Sequence, residues 1–180
     1  MAILWLLPAL LLFWAIGAYS RLTRLRAAAL RAFGALDACM ARLIALAGEY
    51  HAARAALPEP DAPQADSSAA LQAAATQFGA SLAATRATPL DAGALAALAA
   101  GAHVLETAWQ TALRQTPQGA DGSAPEALAP CIRQREQLAL ESAAALAQFN
   151  AAVTRYNQGI AQFPANLLAR LSGLKPARTL

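Results

Sequence analysis

β-Branched aliphatics are nearly missing from this chain: Val and Ile together number seven in 180 residues. Strands are built from β-branched and aromatic side chains, so all-β and α/β folds are excluded. Cysteine is also scarce. Two residues, Cys39 and Cys131, cannot form a disulfide framework. Only two histidines occur, His51 and His103, with no second histidine or cysteine three or four positions away. Zinc and di-iron sites in helical proteins need three or four ligands, commonly at that spacing. Haem ligation by His with Met40 is weaker than the reading of Met40 as a core filler. No cofactor is implied. No phosphate loop, CxxC or Ser-His-Asp arrangement is present, and nothing marks the chain as an enzyme. Charged residues make up 14%, well below the roughly 25% of ordinary soluble domains.

What the chain does have is 52 Ala and 29 Leu, the strongest helix formers. The expected fold is all-α. Residues 1–20 carry no charged side chain, and Ala2 to Ala18 is apolar throughout apart from Pro8. Seventeen helical residues reach roughly 26 Å, near the lower limit for crossing a hydrocarbon core of ~30 Å. A cleaved signal peptide is the rival reading, with Ala15-Ile16-Gly17 as a small-residue cleavage pattern, but the basic n-region is missing. The expectation is therefore an uncleaved single transmembrane helix over 1–20. Arg21, Arg24, Arg26 and Arg31 follow it, and the positive-inside bias then puts the rest in the cytoplasm and the N-terminus outside.

Two stretches rich in Pro, Gly, Ser and Asp, beginning at Pro58 and Thr116, interrupt the helical pattern, with a smaller break at Thr88-Pro89. Four helices are expected, over about 20–57, 67–87, 89–115 and 125–163. Thr88 is the expected cap of the third. Ser123 and Glu126 form a candidate capping box for the fourth. Each helix carries an apolar stripe alternating by three and four. Phe33, Leu36, Met40 and Tyr50 lie on the first, Phe78 and Leu82 on the second, Leu105 and Trp109 on the third, and Leu138, Phe149, Val153, Tyr156 and Phe163 on the last. Such stripes and short loops specify an antiparallel up-down four-helix bundle whose first and last helices are long. Paired antiparallel, those two place residues whose numbers sum to about 182 in one layer, so Phe33 meets Phe149. Residue 131 then falls some twelve positions from Cys39, roughly 18 Å along the axis, which excludes a disulfide.

Charge divides unevenly: +4 over 21–57, −5 over 58–130 and +4 over 131–180. The antiparallel register brings Arg21, Arg24, Arg26, Arg155, Arg170 and Lys175 to one end, as a basic collar for an anionic leaflet. No recognition motif or interleaved aromatic accompanies the basic residues, so nucleic acid is not the implied partner. After Phe163-Pro164, the residues Leu167, Leu168, Leu171 and Leu174 share one face of a short amphipathic helix within 164–180.

The most distinctive stretch begins at Phe149-Asn150, passes Val153 and Tyr156-Asn157, and ends at Phe163-Pro164 with Asn166 beyond. Gly173, Lys175 and Pro176 follow. This order resembles the signature of the LemA family, as does the entry through Tyr19, Leu22, Leu25-Arg26, Phe33 and Asp37. The likeness covers roughly 1–50 and 135–178. The chain departs from the family at Ala41–Gly48, which keeps Arg42 but has no Pro, and in having Phe149 and Leu146 where the family has Tyr and Arg. The resemblance implies a membrane-anchored bundle at the cytoplasmic face of a bacterial inner membrane and no known catalytic activity. The expected role is a non-enzymatic scaffold whose partners are the lipid bilayer and a protein of unspecified identity. The alternatives are a ligand-sensing bundle and a periplasmic envelope adaptor; oligomeric state is left open. Asn150 and Asn157 sit one residue past stripe aromatics, where their amides are expected to bond across to the first helix and fix register; the alternative is that they belong, with Phe149, Val153, Tyr156, Phe163, Pro164 and Asn166, to a partner-binding surface.

Overall fold

The computed structural model describes residues 2–57, 62–116, 124–163 and 165–180, with side chains described for 13–57, 67–116 and the two later stretches. The chain is all-α. Its helices are α1 (Ala2–Ala55), α2 (Ala62–Ala87), α3 (Ala92–Arg114), α4 (Ala129–Ala161) and α5 (Ala165–Leu171).

The expected division at residue 20, with a transmembrane helix before the bundle, is corrected. α1 runs unbroken for 54 residues. Among the described residues, no helix is long and apolar enough to cross a membrane. Only the eight side chains from Phe13 to Ser20 precede Arg21 within the description, and arginines then recur along the helix. A span needs about 20 apolar residues in succession. The side chains of the apolar run before Phe13 lie outside the described residues.

The stripes are the core. Leu22, Ala29, Phe33, Leu36, Met40 and Tyr50 are buried along α1, and Leu138, Phe149, Val153 and Tyr156 along α4. The outlier is Phe163, 79% exposed, because the chain leaves α4 before its ring reaches the seam. The α1–α4 register is the one that the layers predict. Phe33 and Phe149 meet edge to face, with centroids 5.9 Å apart and planes at 62°. Arg42 donates to Glu141 at 2.7 Å in the same register. Cys39 and Cys131 are free thiols, and the carboxylate that acts on Cys131 is Glu49, ten residues beyond Cys39. At Gly159 the helices approach so closely that a Cβ would stand 2.6 Å from Leu25 Cδ1.

Two expected caps fall elsewhere. Thr88-Pro89-Leu90 forms a turn in which the Thr88 carbonyl accepts from Asp91 N–H at 3.0 Å. Asp91 is therefore the N-cap of α3, its carboxylate accepting from Ala94 N–H at 2.9 Å. α4 starts at Ala129 rather than 125, behind a turn closed on the Pro125 carbonyl, with no side-chain cap at Leu128. Ser123 lies outside the described residues.

The helices pack as α4 on α1, α1 on α2 and α2 on α3. The seam between α3 and α4 is the loosest of the four. It is crossed by an ion pair from Arg135 to Glu106.

Candidate functional site: an asparagine ladder and the segment it holds

α5 ends in a Schellman turn. Leu174 N–H reaches back to the Ala169 carbonyl at 2.9 Å and Gly173 N–H to that of Arg170 at 3.3 Å. Gly173 takes φ +67°, a backbone conformation that other residues adopt at a steric cost. The turn sends residues 174–180 back along α4 without helical structure. Pro176 keeps this strap extended.

The asparagines receive it. Asn157 Nδ2 donates to the Ala177 carbonyl at 2.8 Å, and its Oδ1 accepts from Ala177 N–H at 2.9 Å. Asn150 repeats the pattern on Leu180, at 2.9 and 3.0 Å. Tyr156 Oη donates to the Lys175 carbonyl at 3.1 Å. The spacings explain the fit. Seven helical residues rise about 10.5 Å, and three extended residues span about 9–10 Å. Two amides seven apart on α4 therefore meet residues three apart on an antiparallel strap. Each amide presents one donor and one acceptor, as a neighbouring strand would.

The asparagines thus bond to the strap, not to α1 as expected. Register across α1 and α4 is set by the apolar layers. Recognition of the strap is by backbone, with few side-chain demands. Ala177 is buried, Leu180 is half-buried against the core, and Arg178 and Thr179 point outward. Burial pushes the Tyr156 phenol up from its ordinary pKa, against the opposing pull of Arg26, so it remains a donor at neutral pH.

The remaining candidates separate from this ladder. Val153 and Phe149 are fully buried core. Pro164 lies outside the described residues. Asn166 is half-buried on α5, its Oδ1 without a partner among the described residues. Arg21, Arg24, Arg26, Arg31, Arg170 and Lys175 are all exposed. Arg26 and Lys175 share one surface hollow with Tyr156 and Asp91. A second hollow gathers Phe13, Trp14 and Arg21 from α1 with Phe163, two residues past the end of α4. Elsewhere on α1 and α5, Ile16, Leu167 and Leu171 are 60%, 53% and 86% exposed. Among the described residues no group of three or more His, Cys, Asp or Glu stands close enough to hold a metal ion. His51 Nδ1 instead lies 3.2 Å from Ser68 Oγ.

Three pairings were not evident from the sequence: Asp37 with Arg86 at 2.8 Å, Arg42 with Glu141, and Glu106 with Arg135. Asp37 raises the Arg86 pKa by hydrogen bond and charge, which holds the guanidinium protonated. Comparison with family models, curated proteins and solved structures returned no match.

Proposed function

We propose that this protein is a non-enzymatic interaction module whose docking site is the Asn150–Asn157 face of α4. Its own strap is the resident occupant, and an extended segment of a partner protein competes for the same amides. The observation that carries this reading is the paired backbone recognition of Ala177 and Leu180. Main-chain hydrogen bonding gives affinity for any extended segment, and the sites of Ala177 and Leu180 select a small residue followed three positions later by an aliphatic one. The LemA resemblance fits such a scaffold, since its two aromatic-Asn pairs are the ladder.

The test removes residues 174–180 and adds them back as a labelled peptide. The shortened protein should bind the peptide, and the intact protein should not, because its tethered strap acts at an effective concentration on the order of millimolar. Asn157→Ala in the shortened protein should abolish capture. A shortened protein that melts cooperatively yet fails to bind the peptide refutes the proposal.

A second reading concerns location. The exposed aromatic residues at the Phe13–Phe163 end, with Arg21 beside them and Arg24 one turn further along α1, suit contact with an anionic bilayer surface. Flotation with vesicles containing anionic lipid tests it, and binding should weaken when Arg21 and Arg24 are both changed to Glu. Equal flotation of that variant, or none with the parent protein, refutes it.

A further inference from the structure

The loose α3–α4 seam opens into a cleft of about 280 Å³. Leu36 and Met40 of α1 and Phe78 of α2 form its floor, and Leu105 and Trp109 of α3 face Leu146 of α4 across it. The α4 wall is otherwise small, made of Ala139, Ser142 and Ala143. Arg135 and Glu106 line the same space and join across its mouth.

The two members of this ion pair differ in freedom. The Arg135 side chain is 14% exposed and the Glu106 side chain 52%. Glu106 Oε1 also accepts from Gln110 Nε2 at 2.7 Å, one turn along its own helix. Glu106 can therefore swing outward and keep a partner on α3. Arg135 stays over the cleft as a largely desolvated cation, where a charge-assisted bond is stronger than in water. Trp109 is 1% exposed, and its indole N–H has no partner among the described residues. A buried donor left in this way is uncommon and marks a place where an acceptor is missing.

We infer that the α3–α4 cleft binds a medium-chain fatty acid, its alkyl chain over Leu36, Met40 and Leu105 and its carboxylate on Arg135 in place of Glu106. The volume suits a chain of moderate length, and the apolar lining with one charged group at the rim is the composition of a small-molecule site. A neutral or cationic amphiphile has no means of displacing Glu106 from Arg135. This site is separate from the ladder on α4 and does not depend on it.

Titration with decanoate, below its micellar concentration, tests the assignment by calorimetry and by Trp fluorescence. Decanoate should bind at least tenfold more tightly than decanol or decylamine, and acetate should not bind. Arg135→Gln should reduce the decanoate preference over decanol to less than threefold. Ala143→Trp, which fills the cleft from an exposed position, should remove binding of both while leaving a cooperative melt. The inference is overturned if decanol matches decanoate, if Arg135→Gln keeps the tenfold preference, or if a folded Ala143→Trp variant binds decanoate like the parent. Asn157→Ala should leave decanoate binding unchanged, and a loss there would place the fatty acid on the ladder instead.

Discussion

Replacing Phe33 and Phe149, singly and together, probes the frame on which both proposed sites rest. Phe33 is 4% exposed and Phe149 is fully buried, and their rings meet edge to face at 5.9 Å. Each truncation to Ala removes buried aromatic area and leaves a cavity, a loss of about 3–5 kcal/mol. The edge-to-face contact adds about 0.5–1.5 kcal/mol that appears only as coupling between the two sites. In a chain of this size each kcal/mol lowers the melting temperature by about 2–4 °C. Either single variant should therefore melt roughly 6–20 °C below the parent, and the double variant should fall short of the sum. Thermal unfolding followed by circular dichroism measures all four proteins. Single variants that melt with the parent would mean that the rings are surface aromatics, and additive losses would mean that they do not touch. Either result would remove the antiparallel register and, with it, the placement of the α3–α4 cleft over Leu36.

Four further outcomes follow from local geometry. Asn150→Ala and Asn157→Ala each delete two hydrogen bonds to the strap, a loss of about 1–3 kcal/mol; limited proteolysis should cut after Arg178 sooner in both. Gly173→Ala should cost about 1–2 kcal/mol, because the new side chain must take the left-handed conformation, and denaturant titration will show whether it does. Burial raises the Cys131 thiol pKa, with Glu49 adding to the effect. The folded state therefore holds this proton more tightly than the unfolded chain. Its contribution is full below the ordinary thiol pKa of about 8.5 and is lost as pH rises through the folded value. Iodoacetamide should label Cys131 of the native protein more slowly than a free thiol, and equal rates would contradict the burial. Arg42→Gln should change stability by less than about 1 kcal/mol in urea titration, since its pair with Glu141 is exposed on both sides.

The apolar stripes were legible because burial repeats with the helix, and Leu, Phe and Trp at three and four spacing leave one solution. The α1–α4 register was legible for a related reason: two Phe residues of equal bulk fill one layer only when opposite. The start of α1 was not. Charge changes abruptly at Arg21, and a reading by polarity places a boundary there, whereas backbone hydrogen bonding continues through it. The α3 cap was missed because Thr88 and Asp91 are both competent caps. The outcome turned on Thr88-Pro89-Leu90 closing a turn of its own. The cleft had a faint signal in the small α4 residues Ala139, Ser142 and Ala143 facing Ala102. A stripe of small residues reads equally well as close packing, and only the spacing of α3 from α4 separates the two.

The partner of Asn150 and Asn157 was hidden for a different reason. An amide seven residues from its twin signals a ladder, but residues 174–180 carry no periodicity to pair with it. The magnitudes indicate why this contact suits exchange. Five hydrogen bonds contribute about 5 kcal/mol at roughly 1 kcal/mol each. Burying Ala177 and part of Leu180 adds about 2 kcal/mol. Fixing the six residues from Lys175 to Leu180 costs about 1–2 kcal/mol each, and least at Pro176. At the lower end of that cost the terms cancel, so the strap is held by local geometry and by its tether to α5 more than by net affinity. A free peptide of the same sequence lacks the tether, so the shortened protein is titrated with it to millimolar concentration, where capture is expected. A partner segment that keeps the amide hydrogen bonds and buries further apolar area beyond the Leu180 position displaces the strap once that gain exceeds the tether's advantage.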